Sequence, residues 1–146
     1  MTVSERRKQL RIVAEILQVH LPAFLEDQEL ARDLLSVAGV TLRGVYEDVL
    51  RSADAWDRKH YHLRADSLRE EWTWALAAAN TAEGLAYRLE PVTAENLERL
   101  CRLIGVPLAA PAQRVIRNPE AFRGAAAANR ERQRRERSRA SRRLRV

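Results

Sequence analysis

A single cysteine, Cys101, rules out any disulfide within the chain. Its spacing to apolar neighbours makes it a small buried hydrophobe rather than a reactive thiol. Three histidines leave little material for a metal centre. Asp57-x-x-His60 puts two ligand types on one helical turn, but no second copy supports it, so no metal and no cofactor are expected. No glycine-rich phosphate loop and no nucleophile–base signature occurs, and no enzymatic activity is expected. No apolar run approaches the roughly 18 residues of a membrane span. Glu15 interrupts the apolar stretch after the basic start, so no signal peptide is read there. A cytoplasmic protein without a membrane partner is the expectation. Five glycines, five prolines and few β-branched residues argue against sheet and leave an all-α class.

Net positive charge is also missing from most of the chain. The net charge is +6, yet Arg130 to Val146 alone carries nine arginines against two glutamates, or +7. The other residues therefore sum to −1. Arginine outnumbers lysine 24 to 2. A near-neutral body with a strongly basic end points to an acidic partner for that end.

What is abundant is helical periodicity. Thr2-x-x-Glu5 matches a capping box, opening a helix that runs to about His20. Pro22 punctuates it. A second helix is expected to reach Ala38 and stop at Gly39. Thr41 is expected to cap a third, with Val45, Val49, Ala53 and Trp56 inward. A long central helix is expected over about Arg64–Glu90, with Asn80 and Gly84 as weak points. Its main apolar face is Leu68, Trp72, Ala75, Leu76, Ala79, Ala86 and Leu89, so Trp72 is expected in the core. A second stripe, Trp74, Ala78 and Leu85, is either covered within the chain or a partner interface. Pro91 ends this helix and Thr93 caps the next, which closes at Gly105. A short helix is expected over Ala112–Arg117, then a new start at Asn118-Pro119-Glu120. The architecture expected is a compact bundle of five or six helices, residues 1–117, followed by a helical or disordered arginine-rich arm, residues 118–146.

The segment NRERQRRERSRASRRLRV resembles the arginine-rich motifs that fold as helices in RNA grooves. That resemblance implies phosphate contacts from Arg130, Arg132, Arg134, Arg135, Arg137, Arg139, Arg142, Arg143 and Arg145, because guanidinium forks pair with phosphate and stack on bases. Beyond Asn129 the segment has no apolar stripe, so it is not expected to dock by burial. Leu97 to Pro119 resembles the helix-turn-helix of lactose-repressor-like regulators through Cys101, Gly105, Val106 and Arg114-Val115-Ile116. It departs from them in a turn-to-end spacing one residue too long and in Pro111 inside the recognition helix. The expected function is a non-enzymatic nucleic-acid-binding accessory protein, RNA preferred over DNA. The alternatives are a helical adaptor meeting an acidic protein or forming a homo-oligomer through the Trp74 face, and a degenerate helix-turn-helix regulator.

Overall fold

The computed structural model describes residues 1–88, 90–108 and 114–145. The chain is an all-α bundle: α1 Val3–Glu15, α2 Leu21–Ala23, α3 Gln28–Arg58, α4 His62–Tyr87, α5 Ala94–Leu103 and α6 Ala125–Leu144. A π-turn, Ile16–His20, joins α1 to α2, and a 3₁₀ turn, Pro119–Phe122, precedes α6. No helix among the described residues is long and apolar enough to cross a membrane.

The centre is an antiparallel hairpin of α3 and α4. The long helix expected at Arg64–Glu90 is α4, and it runs unbroken through Asn80 and Gly84. Its partner is the correction. Residues 28–58 were expected as two helices divided at Gly39, but they form one of 31 residues. Gly39 is not a terminus. A Cβ there would sit 2.8 Å from Glu83 Cγ and 3.4 Å from the Ala79 carbonyl, so glycine permits the close approach of α4. Thr41 is likewise not a cap; its hydroxyl donates to the Val37 carbonyl one turn back, at 2.7 Å. Facing Gly39, α4 buries Ala75, Ala78, Ala79, Ala82 and Ala86. Small residues on α4 set the helix spacing, and α3 supplies the bulk, with Leu30, Leu34, Leu35, Leu42 and Val49 fully buried.

The Thr2–Glu5 capping box forms as expected. At the far end of α1, Glu15 is wholly buried. Its carboxylate accepts from the backbone N–H of Val115 at 2.6 Å and of Ile116 at 2.7 Å. It also pairs with His20 Nε2 at 2.9 Å. The π-turn, five residues from Ile16 to His20, brings the pair together across one widened turn. Burial alone raises the Glu15 carboxyl, but these hydrogen bonds outweigh it and hold the group below its ordinary range. The residue that broke the apolar run of α1 thus pins the backbone at Val115 and Ile116. The helix expected over Ala112–Arg117 is not found in the described part. Arg114 to Arg117 is non-helical, because its backbone donors are turned to Glu15, and residues 109–113 lie outside the description. The recognition helix of the helix-turn-helix resemblance therefore has no described counterpart.

Trp72 is also corrected. It is half-buried at the surface rather than in the core, because the alanine face of α4 meets α3. Leu89 lies outside the described residues.

Candidate nucleic-acid interface

Alanine, arginine and glutamate are strong helix formers, and α6 has little else. It begins where the chain reverses at Gly124, whose φ of +88° suits glycine. The preceding 3₁₀ turn is capped by Asn118, whose side chain accepts from Glu120 N–H at 3.2 Å. Gly124 offers α6 no side-chain cap. Asp33 of α3 supplies one instead. It is 5% exposed, and its two carboxylate oxygens accept from Gly124 N–H at 2.9 Å and Ala126 N–H at 3.0 Å. A carboxylate at a helix N-terminus satisfies orphan donors and opposes the helix dipole.

Docking then continues by polar contacts. Asn129 donates to Ser36 Oγ at 3.0 Å. Gln133 donates to Glu83 Oε1 at 3.1 Å and accepts from the Tyr87 hydroxyl at 3.2 Å. Glu83 is itself held by a two-pronged contact from Arg43, both bonds 2.9 Å. Arg130 lies over the Tyr87 ring at 5.5 Å. Farther along, Arg137 and Ala140 line a surface groove with Asn80 and Gly84 of α4. The inner face is thus Ala126, Asn129, Gln133, Arg137 and Ala140. The segment docks although it has no apolar stripe, since amides and one carboxylate replace burial.

Fixing the inner face fixes the outer one. At about 100° per residue, Arg132, Arg134, Arg135, Arg139, Arg142 and Arg145 turn away from the body, while Arg130, Arg137 and Arg143 lie toward it or at its edge. All nine side chains are exposed. Glu131 engages Arg134 at 2.7 Å and Arg135 at 3.2 Å. Those arginines, Arg134 first, hold its carboxyl below the usual range. Such exposed pairs are weak and exchange readily. Arg139, Arg142 and Arg145 have no carboxylate partner among the described residues. The outer surface is a cationic strip on a rod of about 30 Å. It can gather phosphates along a backbone.

The other candidate residues have contacts within the chain. Asp57 does not pair with His60. It accepts from Arg69 and from His62 Nδ1, the latter at 2.9 Å, and these partners lower its pKa. Arg69 also reaches Asp54 and Asp66, each at 3.0 Å, which ties the hairpin end together. No group of three or more potential metal ligands occurs among the described residues. Cys101 packs against the core, and burial, with Glu98 nearby, pushes its thiol up. Of the second stripe, Ala78 is completely buried, and Trp74 and Leu85 pack on the chain's own core. Trp74 covers Gly105 so closely that a Cβ there would meet its ring at 2.5 Å.

Asp33, Ser36, Glu83 and Tyr87 were not singled out from the sequence. Only the spacing of Ala126, Asn129, Gln133 and Ala140 on one helical side carried a trace of the docking face. In comparisons with known proteins, no family model, curated protein or solved structure matched the chain.

Proposed function

We propose that the protein is a non-enzymatic nucleic-acid-binding accessory protein whose outer α6 face contacts phosphates, with RNA preferred. The observation that carries the reading is the division of α6. One face is consumed by Asp33, Ser36, Glu83 and Tyr87, and the opposite face holds six arginines and no apolar residue that folding would use. The bundle orients this strip, so arginine order is paid before binding and less entropy is lost on contact.

Counterion release gives the test. Six phosphates neutralised on a single strand predict a slope of log affinity against log salt of about −4. Replacing Arg132, Arg135 and Arg139 by glutamine should make the slope shallower by roughly half, and weaken all sequences alike. Titrations against single-stranded RNA and duplex DNA at several salt concentrations measure both quantities. Equal affinity with and without residues 130–146 would remove the proposal.

A further inference from the structure

Beside the first helix lies a groove of about 410 Å³ that the proposed arm does not use. Its floor is apolar: Leu10 and Ala14 of α1, Trp72 of α4, and Val106 and Leu108 beyond α5. Its rim carries the exposed Arg7 and Arg11, with Arg6 at its edge, and among the described residues no aspartate or glutamate lines it. Arg6 is anchored, donating to Asp48 and Ser52, each at 2.8 Å. Arg7 and Arg11 are exposed on the same helix. The stripe Val3, Arg7, Leu10 and Ala14 follows the three-and-four spacing of a helix face that packs on another helix. Val3 is left 61% exposed at its end. Val3 to Ala14 measures about 16 Å along the axis, or three helical turns.

We infer that this groove docks an acidic amphipathic helix of a partner protein. Its apolar side chains would cover Leu10 and Trp72, and its carboxylates would pair with Arg7 and Arg11. Charge complementarity selects this occupant, because the rim is of one sign. The three-turn run of lining residues from Val3 to Ala14 along one side of α1 matches the face that a second helix covers. The inference does not depend on the role of α6.

The test uses the full chain and a designed peptide of about four helical turns. The peptide carries leucines at helix-face spacing flanked by glutamates. Binding is followed through the three tryptophan indole N–H signals by NMR. The acidic peptide should move the Trp72 signal with saturation. Arg7→Glu with Arg11→Glu should weaken binding at least tenfold while circular dichroism stays unchanged, since both side chains are exposed. Removing residues 130–146 should leave the Trp72 response in place, which separates the groove from non-specific attraction to the arm. Equal binding of a lysine-for-glutamate peptide would overturn the inference. So would insensitivity to the double reversal, or saturation of the same signal by decanoate but not by the peptide.

Discussion

Asp33→Ala should release α6 from the body while leaving the bundle folded. The mutation deletes both acceptors of the first-turn donors, Gly124 N–H and Ala126 N–H. Loss of a helix cap costs about 0.5–2 kcal/mol, and hydrogen bonds to a charged group are worth about 1.5–3 kcal/mol each. The two bonds share one carboxylate, and water replaces part of what is lost, so these figures do not add. A shift of about 2–3 kcal/mol in docking is expected, or roughly a 30- to 150-fold change in the docking equilibrium. Once free, α6 has no apolar face and lies near the length at which isolated helices are marginal in water. Hydrogen exchange should therefore show protection in residues 125–136 falling by that factor. Amides of α3 and α4 near Ala38 and Ala79 should stay protected. If helicity is lost outright, the circular dichroism signal at 222 nm should fall by up to the share of α6, 20 residues of 146. Asp33→Asn keeps one acceptor and should give an intermediate loss. Unchanged protection across α6 in Asp33→Ala would refute the argument that this carboxylate holds the arm.

Two further predictions concern the body. Glu15 and Asp48 are buried carboxylates whose pKa values lie below the ordinary range; burial opposes this, but hydrogen bonds from His20 to Glu15 and from Arg6 to Asp48 outweigh it. A lowered folded pKa means stability that is intact above the unfolded values of about 4, and lost as pH falls through the folded ones. Acid unfolding should therefore steepen below about pH 4. Glu15→Gln should shrink that acid limb and cost about 1–3 kcal/mol at neutral pH, because Val115 and Ile116 N–H each use a separate carboxylate oxygen and an amide puts an NH2 donor in place of one of them; an unchanged acid limb would count against the clamp. His60, at the α3–α4 turn, has a φ of +66°. His60→Gly should relieve left-handed strain and stabilise by up to about 1 kcal/mol, less the extra freedom of glycine when unfolded. Urea midpoints at constant m-value measure it, and a lower midpoint would contradict the strain.

The sequence by itself determined the class, most helix positions and the charge asymmetry. Apolar spacing of three and four residues and caps such as Thr2 and Thr93 act locally, so they can be read without coordinates. The arginine strip was legible for the same reason, since composition needs no fold. Tertiary structure decided the rest. Gly39 reads as a helix end from its neighbours alone; only the approach of Ala79 and Glu83, forty residues away, turns it into a contact point inside one long helix. Trp72 reads as core because large aromatics carry much apolar area, but α3 meets the alanines of α4 instead. Glu15 and Asp33 carry no local sign of burial in the sequence. Each is buried because its backbone partners lie about ninety to a hundred residues away in sequence. Hydrogen-bond satisfaction of a buried carboxylate is a property of two distant segments at once. Periodicity along one segment cannot contain it.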